Sequence, residues 1–261
     1  MLVLLPPSEA KTPGGDGPPV DLAALSWPEL TATRRKVGNA LVRLCTGNPK
    51  RARTILGLSE ALDDDRESGA HIWESPTLPA GHRYAGVLHD ALGYPTLPAA
   101  ARRRADATVV VLSGLWGATR PTDLIPAYRI GIGTKLPRLA GLPATWHTAL
   151  GHALDDEVRR DGALDLRSSG YSLMYRPSRG AAARLVTVRI TGPDGKRAAP
   201  SFQSKVAKGA VVAAMLRRGV PSVDNLLAVA AGVGLGAEQV DDSSFVVRVM
   251  WEGTTPPIVT V

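Results

Sequence analysis

The chain contains one cysteine, Cys45, and two phenylalanines among 261 residues. A single thiol excludes an intrachain disulfide and any zinc or iron–sulfur centre built mainly from cysteine. Cys45 stands in "NALVRLCTG", on the apolar side of a helical pattern. It reads as a buried structural thiol, with a redox sensor as the alternative. Long apolar runs are also missing: none approaches the ~20 residues that cross a bilayer. The opening "MLVLLPPSEAKT" has no basic leading segment, and Pro6 interrupts it early. It reads as a strand rather than a signal peptide, so a cytoplasmic location with no membrane partner is expected.

Familiar chemical signatures are lacking too. There is no G-x-S-x-G elbow and no GxxxxGK[ST] loop, which sets aside the common serine-hydrolase and P-loop chemistries. Five histidines occur, at 71, 82, 89, 147 and 152. His147 and His152 miss the i, i+4 spacing of a helical zinc pair. "GVGLG" at Gly232–Gly236 is half of a dinucleotide fingerprint with no clear strand before it. Neither a metal nor a cofactor is expected.

What is present is a moderate excess of positive charge, +7 from 31 Lys and Arg against 24 Asp and Glu. That permits an anionic partner, either nucleic acid or a phosphorylated small molecule, without requiring one. Length and a 44% hydrophobic content suit one large α/β domain or two small ones.

The pattern along the chain alternates strand, loop and helix, which argues for an α/β fold. "MLVLL" and Thr108–Leu112 read as strands, and "ALDL" as another that ends in small polar residues. Helical spacing predicts helices over Trp27–Leu44, in "RARTILGLSEAL", in "LPATWHTALGHALDDEVRRDG" and in "SKVAKGAVVAAMLRRG". "ALDDDRESGAHIWESPTLPAG" reads as a surface excursion. Alternation at Leu185, Thr187, Arg189 and Thr191 predicts a hairpin turning at Pro193-Asp194-Gly195, and "SFVVRVMW" a last strand. "LLAVAAGVGLGAEQV" (Leu226–Val240) admits two readings. One is a helix–hairpin–helix whose Gly232 and Gly234 amides grip a phosphate; the other is a glycine-rich link from a helix to a strand.

Polar residues gather in loops that come after strands, where open α/β sheets place their sites. Lys11 comes after the first strand. Arg120, Asp123, Tyr128 and Arg129 come after the Thr108–Leu112 strand, inside a loop stiffened by glycine and proline. Ser168, Ser169 and Tyr171 come after "ALDL", and Lys205 and Lys208 open a helix. Taken singly, Arg120 and Asp123 can simply pair in a turn while Tyr128 packs. Taken together, the four loops suggest a cleft for a phosphate or carboxylate. In it Arg120 and Arg129 face the anion, Asp123 holds a guanidinium in its rotamer, and Tyr128 offers a hydroxyl.

Five stretches occur in order: "LPPSEAKT" at Leu5–Thr12, "SGLWGATRPTDLIPAYRI" at Ser113–Ile130, "LRSSGY" at Leu166–Tyr171, "SFQSKVAKG" at Ser201–Gly209 and "SFVVRV" at Ser244–Val249. Together they resemble the YaaA peroxide stress protein family across nearly the whole chain. The resemblance implies a single domain over residues 1–261, with a mixed α/β "cantaloupe" fold, a basic cleft and a helix–hairpin–helix-like element at 226–240. It also implies double-stranded DNA as a partner, gripped by its phosphate backbone, and a part in limiting oxidative DNA damage linked to intracellular iron. The family's cleft residues carry over to Lys11, Arg120, Asp123, Tyr128, Arg129, Ser168, Tyr171, Lys205 and Lys208. Three positions depart from the family pattern. Gly131 and Gly170 stand where acidic residues are common, which makes the cleft more basic, and Lys208 stands where arginine is common.

Two functions are expected as alternatives. One is DNA binding in peroxide defence through Lys11, Arg120, Arg129, Ser168, Lys205, Lys208, Gly232 and Gly234. The other is an enzyme acting on a nucleotide-like or carboxylated small anion, with Lys11, Arg120, Asp123, Tyr128, Arg129, Tyr171 and Lys205 as candidate catalytic residues: Lys11 or Lys205 as nucleophile or base, Tyr128 or Tyr171 as proton carrier. A protein-binding scaffold is a third and plainer possibility.

Overall fold

The computed structural model describes residues 1–194, 197–241 and 244–249. The chain begins with β1 (Leu2–Leu5), whose four side chains are all buried. A long loop leads to α1 (Thr31–Cys45), α2 (Pro49–Leu56) and α3 (Asp63–Ala70). Next come β2 (Thr77–Pro79), α4 (Ala80–Arg83), α5 (Val87–Leu92) and α6 (Ala99–Thr108). Strand β3 (Val109–Ser113) is buried throughout and precedes the short β4 (Gly117–Thr119) and β5 (Leu124–Pro126). The 20-residue helix α7 (Leu142–Asp161) precedes β6 (Ala163–Asp165), α8 (Ser169–Ser172), α9 (Arg179–Ala182) and β7 (Leu185–Thr191). The chain closes with α10 (Ser201–Arg218), α11 (Val223–Gly232), β8 (Leu235–Asp241) and β9 (Ser244–Val249).

Seven strands form one sheet in the order β4-β3-β1-β6-β7-β9-β8. The five from β3 to β9 are mutually parallel, and the two edge strands run antiparallel to their neighbours. A parallel sheet is covered on both faces, which is why "LVLL" and "VVVLS" are continuous apolar runs and not alternating ones. The chain leaves β1 for β3 on one side and later fills β6 and β7 on the other. The strand order therefore reverses at β1, and the carboxyl ends of β3, β1 and β6 frame a switch point. The fold is a mixed α/β arrangement, as the alternating pattern predicts.

Helix burial tracks sequence spacing. In α7, Trp146, Leu150, Leu154 and Val158 step by four and are all buried. Helix α10 is buried from Val211 to Leu216 and packs on α5, α6 and α11. The approach to α5 is close: a Cβ built on Gly209 would overlap the Leu88 carbonyl oxygen.

Three expectations change. The Leu185–Thr191 strand does alternate, burying Val186, Val188 and Ile190, but it pairs in parallel with β6 and β9 instead of folding back as a hairpin. Among the described residues the chain does turn back briefly after this strand, with a Thr191–Ala198 antiparallel bridge flanked by Gly192 N–H to the Arg197 carbonyl (2.9 Å) and Ala199 N–H to the Ile190 carbonyl (3.2 Å). Gly195 of the expected turn, and Met250 and Trp251 of the expected last strand, lie outside the described residues. The 61–81 stretch is no mere excursion, since it forms α3 and β2 and buries Ile72 and Thr77. The helix–hairpin–helix reading is also corrected. Residues after Gly234 form β8, paired with β9, and the Gly234 N–H is spent on the Ala231 carbonyl at 3.1 Å, so that amide is not free to grip a phosphate. The plainer link from helix to strand describes this segment.

Candidate functional site

The loop after β1 carries Lys11 back against α4, where its backbone bridges Tyr84. The ammonium donates to the carbonyls of Ser8 (2.6 Å) and Glu9 (3.1 Å). It lies 4.1 Å from the centre of the Tyr128 ring and 5.8 Å from that of Tyr84. Its pKa is lowered to about 7, first by burial and then by the neighbouring Arg129 charge, against the opposing pull of Asp65 and Glu9.

Tyr128 is buried beneath this lysine. Its hydroxyl lies 2.7 Å from Ser113 Oγ, at the end of β3, and 3.2 Å from the Tyr84 hydroxyl. The direction of this chain comes from the donor inventory. Ser113 Oγ already accepts the N–H groups of Leu115 (3.2 Å) and Trp116 (3.1 Å). With both lone pairs used, it donates its own proton to Tyr128, and Tyr128 in turn donates to Tyr84. Burial raises the pKa of both phenols, Tyr128 strongly, so they remain protonated at neutral pH.

Arg129 reaches the same place. It pairs with Asp65 of α3 at 3.2 Å and, more loosely, with the exposed Glu9 at 3.7 Å. Tyr171, from α8 after β6, adds a third phenol, bonded to the Ile132 backbone; burial, and then the nearby ionisable Tyr84 and Glu9, raise its pKa. His89 of α5 stacks on Tyr84 and meets the Pro6 carbonyl at 3.1 Å. Its burial, with Lys11 nearby, brings its pKa down to about 4, so it is neutral. Loops after β1, β3 and β6 thus converge at the switch point.

Other expected site residues lie elsewhere or face otherwise. Arg120 donates to the Ala107 carbonyl (2.7 Å), pairs with Glu157 of α7 and stacks on Trp27. Its guanidinium is spent on packing and does not face an anion beside Lys11. Asp123 holds no guanidinium. One oxygen accepts the Arg120 backbone N–H at 2.9 Å, and the other takes the Ser26 N–H (3.0 Å) and hydroxyl (2.8 Å). It is a buried brace for two loops. Lys208 donates to the carbonyls of Leu166 (2.7 Å) and Arg167 (3.2 Å) just beyond β6, and burial lowers its pKa. Lys205, Ser168 and Ser169 are exposed. Cys45 is buried, and burial raises its pKa to about 11, which makes it an inert thiol.

Several residues of this centre carry no signal in the sequence. Tyr84 and Ser113 fall inside recognisable stretches, but no spacing ties them to Tyr128. Glu9 and Asp65 supply carboxylates from segments read as loop and surface, so the centre is nearer charge balance than Gly131 and Gly170 suggest. Two wholly buried arginines frame the region. Arg83 donates to the carbonyls of Thr12, Gly14 (2.8 Å), Pro76 (3.3 Å) and Ile125 (3.1 Å), fixing the Lys11 loop. Arg34 binds those of Ser26 (2.7 Å), Trp27 (3.2 Å), Trp116 (3.0 Å) and Ala118 (2.9 Å). Carbonyl-only partners leave each cation poorly compensated, and burial lowers both pKa values to about 10. Among the described residues there is no group of three or more histidine, cysteine or carboxylate side chains placed to hold a metal, and no helix long and apolar enough to cross a membrane.

Comparison with known proteins bears out the family resemblance. A family profile described as "Peroxide stress protein YaaA" matches residues 1–234. A UPF0246 protein of Streptomyces coelicolor is 43% identical over 219 residues, covering 84% of each chain. One from Corynebacterium glutamicum is 38% identical over 247 residues, 92% of this chain and 95% of its own. A more distant UPF0246 protein of Shewanella halifaxensis is 26% identical over 240 residues, 87% of this chain and 90% of its own.

Proposed function

The chain belongs to the peroxide stress protein YaaA family, and on that premise we propose that it acts in cytoplasmic peroxide defence by holding an anionic phosphate backbone, that of duplex DNA, at the Lys11–Arg129 centre. One observation carries this reading. Two like charges, Lys11 and Arg129, are kept side by side at the carboxyl edge of parallel strands, close enough for one to lower the pKa of the other. Asp65 and Glu9 offset Arg129, whereas among the described residues Lys11 has only carbonyl acceptors and a ring face, so an anion beside the pair would relieve the repulsion that remains. Exposed Ser168, Ser169 and Lys205 lie on neighbouring segments and supply hydroxyl and cationic contacts to a backbone. With a few phosphate contacts, affinity for a labelled duplex should fall roughly tenfold or more between about 50 and 200 mM salt, without sequence preference. Fluorescence anisotropy on wild type, Arg129→Gln and Lys205→Ala tests this. No binding at low salt, binding indifferent to salt, or full affinity in both variants would reject it.

A second reading rests on a different observation, the Lys11 amine near pKa 7 over a tyrosine that belongs to a hydroxyl chain. A partly neutral amine beside phenols suits base or nucleophile chemistry on a carboxylated or nucleotide-like small molecule. Tight, salt-insensitive binding of such a compound, abolished in Lys11→Met, would favour it over the DNA reading.

A further inference from the structure

We propose that the depression between α1, α2 and the loop before α7, remote in sequence from the Lys11 segment, binds the phosphate group of a small phosphomonoester of mononucleotide size. The depression has a volume of about 350 Å³, within the range of small-ligand pockets. Three guanidinium side chains line it: Arg43 from the last turn of α1, Arg51 from the first turn of α2, and Arg138 from the loop. Ala40, Leu44 and Pro137 give it an apolar wall. No carboxylate lines it, and none of the three arginine side chains has a hydrogen-bond or ion-pair acceptor among the described residues. All three are exposed, as are Arg35, Arg103 and Arg217, equally unpartnered among the described residues; what sets Arg43, Arg51 and Arg138 apart is that they line one depression.

The position of Arg51 sharpens the argument. The first turn of α2 holds Lys50 and Arg51 and no acidic residue. Cations there oppose the positive end of the helix dipole, where an anion is favoured. Asn48 caps the Arg51 backbone N–H at 3.0 Å, and the Arg51 guanidinium lines the depression beside that helix start. An adjoining depression lined by Lys50, Arg51, Thr54 and Ile55 adds a fourth cation. Three forked donors around one site match the oxygens of a phosphate dianion, and the apolar wall accommodates a ring.

The test is calorimetric titration with AMP, with adenosine and a short DNA duplex as separate arms. AMP should bind wild type, and adenosine at least tenfold more weakly. Arg51→Ala and Arg138→Gly should each lose at least tenfold in AMP affinity. Arg138 has φ 63, in the left-handed region, where glycine is the better residue. Arg138→Gly therefore removes the charge without straining the chain, and an unchanged melting temperature separates lost binding from lost fold. Lys11→Met separates this site from the centre proposed above: AMP affinity kept in Lys11→Met and lost in the arginine variants supports the depression, whereas loss in Lys11→Met with both arginine variants at wild-type affinity places AMP at the Lys11 centre and overturns the proposal. Absence of AMP binding at millimolar concentration, equal binding of adenosine, or wild-type affinity in both arginine variants would overturn the proposal. If the duplex displaces AMP and loses affinity in the same variants, the phosphate is a nucleic-acid backbone and the small-molecule assignment falls.

Discussion

The Lys11 ammonium rests 4.1 Å from the centre of the Tyr128 ring, joining the segment after β1 to the segment after β3. These are adjacent parallel strands, so a contact between residues more than a hundred positions apart is set by the sheet register, Leu5 against Val111. The geometry favours the charged amine through two carbonyl acceptors and the ring face, while burial and Arg129 oppose it. The balance is a lysine poised near neutrality.

That balance predicts how Lys11 titrates. In wild type, NMR of labelled lysine should give a midpoint near 7. Arg129→Gln removes a like charge and should raise the midpoint, whereas Asp65→Asn removes an attracting charge and should lower it. Stability is linked to the same shift. The folded pKa lies below the unfolded one, so between about pH 7 and 10.5 the unfolded chain binds more protons, and stability from this group rises with pH across that window. Lys11→Met should abolish this component of the wild-type slope in urea denaturation. An unperturbed lysine midpoint near 10.5 would refute the account.

Arg120 gives the opposite outcome from the one its motif suggests. Because it stacks on Trp27 and pairs with Glu157 and the Ala107 carbonyl, Arg120→Lys keeps the charge but loses the planar fork. It should cost about 1–3 kcal/mol of stability and leave salt-dependent DNA affinity unchanged. Chemical denaturation with parallel anisotropy decides; weakened DNA binding at unchanged stability would return Arg120 to the anion site.

The contrast between Lys11 and Arg120 shows what sequence can and cannot place. Apolar runs, helix spacing and the α/β alternation are local, and β1, β3, α7 and α10 are legible from them. The convergence of loops after β1, β3 and β6 is legible too, because parallel strands put their carboxyl ends on one edge. The direction of a side chain within a loop is not local. Arg120 and Arg129 share one motif, yet one turns to α7 and the other to α3. Asp65 and Tyr84 reach the centre by tertiary packing alone, and no spacing announces them. The β8 strand hides behind a Gly-Val-Gly pattern that fits a helix–hairpin–helix equally well until its pairing with β9 is seen.

Helix packing offers a test independent of charge. Gly209 lets α10 approach α5, and an added methyl would meet the Leu88 carbonyl and the Ala91 side chain. Gly209→Ala should destabilise by about 1–3 kcal/mol through overpacking, despite the better helix propensity of alanine. Thermal or urea unfolding checks it. A neutral or stabilising result would mean the two helices separate without cost.

The hydroxyl chain makes an ordered prediction, because its direction fixes what each deletion orphans. Tyr84→Phe removes the group that accepts from Tyr128 at 3.2 Å, a long bond, together with its side-chain interactions with Thr119 and Ser113, and should cost about 1 kcal/mol. Tyr128→Phe takes away both the acceptor of the Ser113 proton and the donor to Tyr84, and should cost about 1–3 kcal/mol. Ser113→Ala leaves the buried N–H groups of Leu115 and Trp116 without their acceptor and deprives Tyr128 of a donor. It opens almost no cavity, yet it should be the most damaging of the three at about 2–4 kcal/mol, since unsatisfied buried donors cost more than a lost bond between partners. Urea denaturation of the three single variants gives the order directly. The Ser113–Tyr128 double variant should cost less than the sum of its singles, as the two side chains share a bond. If Ser113→Ala proves as mild as Tyr84→Phe, Ser113 is not the anchor of the chain, and the proton order from Ser113 through Tyr128 to Tyr84 is wrong.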